Sequence, residues 1–213
     1  MTPIRPDGHG SMEARVRIER LSEHPQLVEV VGRWHWDEWG HEDPDGSLAE
    51  WTSRLREHAP DAAIPLTLVA LSSNGTPLGS VSIVDQDMPE RPESRALGPW
   101  VGGTYVVPEA RNRGVGVALM RAVERTAAAL RVDRLYLHTS TAKVFYERLG
   151  WEVLMEDFYR GERVTIMVRE IPLSVSSWRV GVRIWYHQSS LPNRPVLPLP
   201  RGVAKASEPR SLS

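Results

Sequence analysis

The sequence predicts an α+β fold, a mixed central β-sheet with helices on both faces, and three observations carry the prediction. Apolar patterns of period 2 and period 3.6 follow one another in the order β-α-α-β-β-β-α-β-α-β-β. The dipeptide Asn74-Gly75 separates two apolar runs, the mark of an antiparallel hairpin. A short helical pattern lies between later strands, with antiparallel pairs before and after it, so both strand directions share one sheet.

The elements follow in order. From Glu13 to Arg20, valine and isoleucine alternate with charges, as in a half-buried strand. Pro25 opens a helix whose stripe is Leu27, Val28, Val30, Val31 and Trp34, closed by Gly40. Ser47 and Glu50 form a capping box for a second helix carrying Leu48, Trp51 and Leu55 up to Pro60. The run Pro65 to Leu71, the turn Ser73-Asn74-Gly75 and the run Leu78 to Val84 make the hairpin, with Asn-Gly supplying positive φ angles at the turn. Trp100 to Val107 is a strand, Gly114 to Leu130 an amphipathic helix, Arg134 to Thr139 a strand and Thr141 to Leu149 a helix. Trp151 to Phe158 and Arg163 to Val168 close the sheet around Gly161. Residues 1–12 read as a flexible leader, 13–171 as the folded domain, and 172–213, with six Pro and eight Ser, as a basic disordered tail.

Composition narrows the chemistry. The 213 residues are 41% hydrophobic and 25% charged, as in ordinary globular proteins. The longest apolar stretch, Ile64 to Leu71, is far short of the roughly 20 residues that span a bilayer, and the charged first twenty residues lack a secretory core. A cytoplasmic protein with no membrane partner is expected. The absence of cysteine removes thiol nucleophiles and zinc-thiolate sites. The tail holds six Arg or Lys against one Glu, so the rest of the chain is acidic, which argues against a nucleic-acid partner.

The densest chemical signal is Val106-Val107-Pro108-Glu109-Ala110-Arg111-Asn112-Arg113-Gly114-Val115-Gly116-Val117. A strand runs through a proline turn and basic residues into two glycines that open a helix. Unpartnered N–H groups and the positive end of the dipole then face outward, and glycine lets an anion reach the backbone. The P-loop and dinucleotide fingerprints both fail on this segment. Taken alone, Gly114 and Gly116 read more readily as helix-start packing glycines, and Phe145 and Trp151 as core.

Arg111-x-x-Gly114-x-Gly116 after Val-x-Pro, followed by Ala142-x-x-Phe145-Tyr146-x-x-Leu149-Gly150-Trp151, resembles the paired segments of the GCN5-related N-acetyltransferase (GNAT) superfamily. The resemblance covers roughly residues 14–169. It implies acetyl-CoA as acetyl donor, with Thr104, Tyr105 and Val106 along the acyl-pantetheine arm and the Val106 N–H on the thioester carbonyl. It further implies that Arg111, Asn112, Arg113, Gly114, Val115, Gly116 and Val117 hold the pyrophosphate, that Thr139 and Ala142 lie beside the arm, and that Tyr146 is the general acid. Direct transfer to a primary amine, on a small molecule or a peptide N-terminus, is the expected reaction, without a metal. The rival expectation is a non-catalytic acyl-CoA-binding or regulatory module.

Two positions depart from the family pattern. Thr139 stands where many relatives have asparagine, and the strand from Trp100 to Val107 lacks the glutamate that many use as base. A water chain held by Asp85, Asp87 or His138 is the expected substitute. Asp85, Asp87, Glu90 and Glu93 read either as an acidic rim that attracts a cationic amine or as a solvated loop. His35, Asp37, Glu38, His41, Glu42 and Asp43 match no metal-ligand spacing and read as a solvated helix end.

Overall fold

A computed structural model describes residues 16–58 and 63–172, apart from the side chain of Glu93. The chain divides into two compact units, Met1–Val175 and Ser176–Ser213, and every described residue belongs to the first. The leader, the first residues of the expected opening strand and residues 173–213 of the expected tail lie outside the described residues.

Among the described residues, seven strands and four α-helices follow in the expected order. They are β1 (Arg17–Arg20), α1 (Val28–Trp39), α2 (Leu48–Glu57), β2 (Leu66–Leu71), β3 (Pro77–Val84), β4 (Trp100–Val106), α3 (Val115–Ala129), β5 (Arg134–Thr139), α4 (Lys143–Arg148), β6 (Glu152–Tyr159) and β7 (Glu162–Glu170). One sheet holds all seven strands in the order β1-β2-β3-β4-β5-β7-β6. Neighbours are antiparallel except β4 and β5, which run parallel.

Helix α3 covers one face, where Leu119, Met120 and Val123 pack with Leu68, Ala70, Val81 and Ile83. These side chains are at most 5% exposed, and removing one such as Leu119 would cost about 2–5 kcal/mol. The opposite face carries the buried hydroxyls of Thr67, Ser80 and Ser82, the first two paired with histidines of the α1–α2 layer. His35 of α1 pairs with Ser80 at 2.9 Å, and His58, just past α2, with Thr67 at 2.6 Å; Thr67 in turn meets Ser82 at 2.8 Å. Helices α1 and α2 approach closely because Gly32 faces Thr52: a Cβ on Gly32 would sit 2.5 Å from the Thr52 hydroxyl.

Three details differ from the sequence expectation. Val30 is 38% exposed, because α1 buries Gly32 and His35 beside Val28 and Val31 instead of the purely aliphatic stripe. The hairpin turn has the three expected central residues, Ser73, Asn74 and Gly75, but not both of the expected positive φ angles. Ser72 N–H reaches Thr76 O at 2.9 Å and only Gly75 takes a positive φ, of 84°, while the Asn74 side chain accepts from Thr76 N–H at 3.2 Å. His35 is not part of a solvated helix end but is 5% exposed.

The position of His35 sets a feature of β4. The β3–β4 register slips between Ser80 and Ser82, so β4 carries a bulge, and within it Gly103 has φ 57°. A Cβ there would lie 2.7 Å from the His35 ring, so only glycine lets the bulge rest on the imidazole. Burial lowers the His35 pKa from 6.5 to about 4, with His58 adding to the effect and a hydrogen bond to the Gly103 backbone opposing it. The folded state therefore holds a neutral ring where the unfolded chain would take up a proton. Stability should be intact above pH 6.5 and fall as the pH drops from 6.5 towards 4, by up to about 3 kcal/mol at roughly 1.4 kcal/mol per unit. Thermal melts at pH 7.5 and pH 5 should show a large loss for the native chain and a smaller one for His35→Asn.

Candidate active site

The sheet opens between β4 and β5. Their ladder has a single register pair, Trp100 with Tyr136, supported by Tyr136 N–H on Pro99 O at 3.1 Å. Beyond it Val101–Val106 and Leu137–Thr139 diverge, leaving a wedge lined on one side by backbone. Val107 N–H points to Leu78 O on β3, at 3.0 Å, so the N–H and C=O of Val106 point the other way, into the wedge. The Val106 carbonyl accepts from Arg111 Nε at 2.9 Å, and the same guanidinium lies 5.8 Å from the centre of the Tyr105 ring. Tyr105 stacks on Trp34 of α1, with ring centres 5.4 Å apart.

At the wide end of the wedge stands the N-terminus of α3. Asn112 and Gly114 take φ of 56° and 83°, which turns the chain sharply enough for the helix to begin at Val115. The first helical bond runs from Ala118 N–H to Gly114 O at 2.9 Å, so Val115, Gly116 and Val117 have no carbonyl of their own helix to reach. Gly114, in the cap position, has no side chain to satisfy them. Gly116 is also a contact point: a Cβ there would meet Phe145 Cζ of α4 at 3.3 Å and Val106 at 3.9 Å. Arg113 is exposed beside these groups. A fifteen-residue helix with an uncapped start, two glycines and an exposed arginine nearby suits a phosphate diester or pyrophosphate. A cleft of about 280 Å³, lined by Val16, Ser72, Leu78, Val107, Ala110 and Val115, abuts the same loop from the hairpin end.

Tyr146 rises from α4 towards β4. It is buried to 8% exposure, packed edge-on against Phe145 and Trp151, and its hydroxyl is hydrogen-bonded by the Thr104 side chain. Burial pushes its pKa above the ordinary value, the Asp87 charge adds to the shift and Thr104 opposes it, so the hydroxyl keeps its proton at neutral pH. Thr139 at the end of β5 accepts Ala142 N–H at 2.9 Å through its Oγ1, which ties the start of α4 to the strand.

The face of the wedge nearer α1 holds a charged group that the sequence shows only in pieces. His138 Nε2 lies 3.2 Å from Asp87 Oδ2, with the ring between the edges of Trp100 and Tyr159. Burial disfavours the imidazolium, but Asp87 and then Glu42 outweigh it, so His138 titrates above its ordinary value. Arg160, in the β6–β7 turn, meets Glu90 at 2.8 Å and Glu42 at 3.9 Å, and Tyr159 donates its hydroxyl to Glu90. Of the expected acidic rim, Asp87 and Glu90 come together here, Asp85 is exposed elsewhere on the loop, and the Glu93 side chain lies outside the described residues. Tyr159 and Arg160 carry no pattern in the sequence that marks them for a site. Among residues 35–43 no common point exists: His35 faces Ser80, Glu42 faces Arg160, and Asp43 accepts from Trp51 Nε1 at 3.1 Å. Among the described residues only Glu19, Glu23 and His24 cluster as a metal group would, and His24 is already bonded to Glu19. No helix among them is long and apolar enough to cross a membrane.

The sequence matches the Acetyltransferase (GNAT) family over residues 28–151, a span that runs from α1 through the α3 loop to the end of α4. The chain belongs to this family. The aminoglycoside N(6')-acetyltransferase type 1 of Klebsiella aerogenes is 36% identical over 89 residues, 39% of this chain and 56% of that protein, so the chain matches about half the length of that relative. Among solved structures, an aminoglycoside 6'-N-acetyltransferase complexed with coenzyme A superposes with a TM-score of 0.58 at 16% identity, over 73% of this chain and 97% of that one. The spermidine/spermine N-acetyltransferase SpeG of Vibrio cholerae, solved with manganese, gives 0.54 at 15% identity over 75% and 94%. A GNAT acetyltransferase from Streptococcus pneumoniae gives 0.55 at 22% over 74% and 99%. At these identities the shared feature is the fold, a GNAT mixed sheet with its helices.

In this GNAT chain the Thr139 hydroxyl anchors Ala142, the residue from which α4 starts. Thr139→Val removes that acceptor while keeping the shape, and the loss of one such hydrogen bond costs about 0.5–1.5 kcal/mol. A thermal melt should show a fall of a few degrees, since about 1 kcal/mol shifts a domain of this size by roughly 2–4 °C.

Proposed function

We propose that the protein transfers an acetyl group from acetyl-CoA directly to a primary amine, with the wedge between β4 and β5 as the reaction site. The observation that carries the reading is the uncapped start of α3 at the mouth of a wedge whose wall holds a buried, protonated tyrosine. An anion holder and a proton donor on one cleft are what a coenzyme thioester needs. Similarity to amine acetyltransferases supports the acceptor class, and the resemblance of two ordered segments supports the donor.

Acetyl-CoA supplies the activated acetyl group. The backbone N–H groups of Val115, Gly116 and Val117, together with Arg113, would hold its pyrophosphate, with Arg111 and Asn112 shaping the loop. Thr104, Tyr105 and Val106 would line the pantetheine arm opposite Thr139 and Ala142. The Val106 N–H, which has no partner on β3, would donate to the thioester oxygen as negative charge develops there, a stabilisation that acts most strongly in the transition state. Tyr146 would give its proton to the departing sulfur. Its raised pKa suits this role, because the donor must remain protonated until the thiolate forms.

Arg113→Glu reverses an exposed charge at the helix start without touching the core. Acetyl-CoA affinity should fall at least tenfold in a titration calorimeter, since one charge-assisted hydrogen bond contributes about 1.5–3 kcal/mol. Gly116→Glu should lose affinity too, but its side chain also presses on Phe145, so it should melt at a lower temperature than Arg113→Glu. Tyr146→Phe should retain affinity and lose about 10²–10⁴-fold in kcat, measured as free-thiol release with spermidine and an aminoglycoside as amines. Full turnover in Tyr146→Phe would remove the acid role. Binding of acetyl-CoA by the native chain with no turnover on any amine would favour the non-catalytic module.

A further inference from the structure

An amine with an ordinary pKa reaches the wedge as an ammonium ion, which has no lone pair to attack with, so a group beside the acetyl carbonyl must take a proton. Strand β4 offers none. Gly102 is the point of β4 where a side chain would enter this space, and the space is filled from elsewhere: a Cβ on Gly102 would meet Asp87 Oδ1 at 3.0 Å and Cγ at 3.3 Å. The loop after β3 thus delivers a carboxylate to the spot that β4 leaves bare. Its oxygen pairs with His138 on the facing strand β5. The geometry points to His138 as the general base of the transfer, with Asp87 as its positioning partner across the open seam of the sheet. This inference rests on the amine-acetylating reading above.

The orientation gives each nitrogen of the ring a task. Nε2 lies 3.2 Å from Asp87 Oδ2, an ion pair that turns this nitrogen towards the carboxylate and Nδ1 away from it. Trp100 and Tyr159 hold the ring edge-on from two sides. The charged or titratable groups that face His138 are Asp87 from the β3–β4 loop, Glu42 from the turn after α1, and Tyr159 and Arg160 at the β6–β7 turn. Asp87 and Glu42 favour the protonated ring and Arg160 opposes it. The Asp87 charge also reaches Tyr146, so base and acid lie within the field of one carboxylate.

In the proposed step an N–H bond of the ammonium breaks and its proton passes to Nδ1 of His138. The freed nitrogen lone pair forms a bond to the acetyl carbon as the C=O π pair moves onto oxygen, and that pair later re-forms the carbonyl to expel sulfur. The C–S bond then breaks, its electron pair stays on sulfur, and sulfur takes the Tyr146 proton. The nitrogen, now acidic, returns its second proton to the Tyr146 oxygen, and His138 releases its own to water. Charge and protons balance as ammonium plus thioester giving amide, thiol and one proton.

The test is the pH profile of kcat/KM for spermidine and an aminoglycoside in the native chain, His138→Gln and Asp87→Asn, with acetyl-CoA affinity measured on each. The native profile should have an acidic limb above pH 6.5, because only neutral His138 accepts a proton. Asp87→Asn should move that limb to lower pH, since it removes the charge that stabilises the imidazolium, with affinity unchanged. His138→Gln should lose roughly 10²–10⁴-fold in kcat with the limb gone. In parallel, an NMR titration of the His138 ring should show the same downward shift in Asp87→Asn without any turnover. An unchanged limb in Asp87→Asn, or full kcat in His138→Gln, overturns the inference while leaving acetyl transfer standing. No turnover by the native chain on any amine overturns both.

Discussion

The arrangement of the molecule depends on the way β4 leaves β5. A parallel pair would ordinarily continue hydrogen-bonding along its length, but here the ladder stops after Trp100 and Tyr136. The bulge at Gly103, seated on the buried imidazole of His35, bends β4 and raises its twist, so the C-terminal half swings away from its neighbour. Backbone groups that a closed sheet would consume stay available in the gap. Gly79 belongs to the same device: a Cβ on it would lie 2.4 Å from the Tyr105 carbonyl, so β3 can follow the bent strand only as glycine.

The opening organises two electrostatic environments. On the side of α3, the helix start and Arg113 make a positive mouth suited to phosphates. On the side of α1, Asp87, Glu42 and Glu90 make a negative one, tempered by Arg160 and His138. Opposite signs at the two ends of one seam would bring an anionic donor and a cationic acceptor to the same place from different directions. Tyr146 and Thr104 lie between them, where burial keeps the phenol protonated.

Most of this order was legible in the sequence, because it is written in local periodicity. The alternating residues of β5 gave its bounds from Arg134 to Thr139, and Ser47 with Glu50 gave the start of α2, where Glu50 N–H does reach Ser47 Oγ at 3.3 Å. The loop from Arg111 to Gly116 was legible for the same reason, since its glycines and arginines act on their own neighbourhood. What escaped the sequence is non-local. His35 sits in a run of acids and histidines, and nothing nearby says that Ser80 and Gly103 will enclose it. Asp87 and His138 were visible as separate candidates, but their pairing needs β3, β4 and β5 side by side. Tyr159 and Arg160 had no signal at all, because their partners Glu90 and Glu42 come from distant loops. The turn Ser73-Asn74-Gly75 was legible in its residues, but its φ angles were not: Thr76 donates to the Asn74 side chain, and only Gly75 takes a positive φ.

The central claim is that the seam between β4 and β5 receives the coenzyme, with backbone N–H groups as its principal donors. Following backbone amide chemical shifts while coenzyme A is added tests this most directly, since it reads those groups one by one. The account predicts large changes at Val106 and at Gly114 to Val117, with Tyr146 following and the β2–β3 turn unmoved. Still amides at Val106 and Gly116, with the changes gathered instead at Val16, Ser72 and Leu78 around the neighbouring cleft, would contradict it.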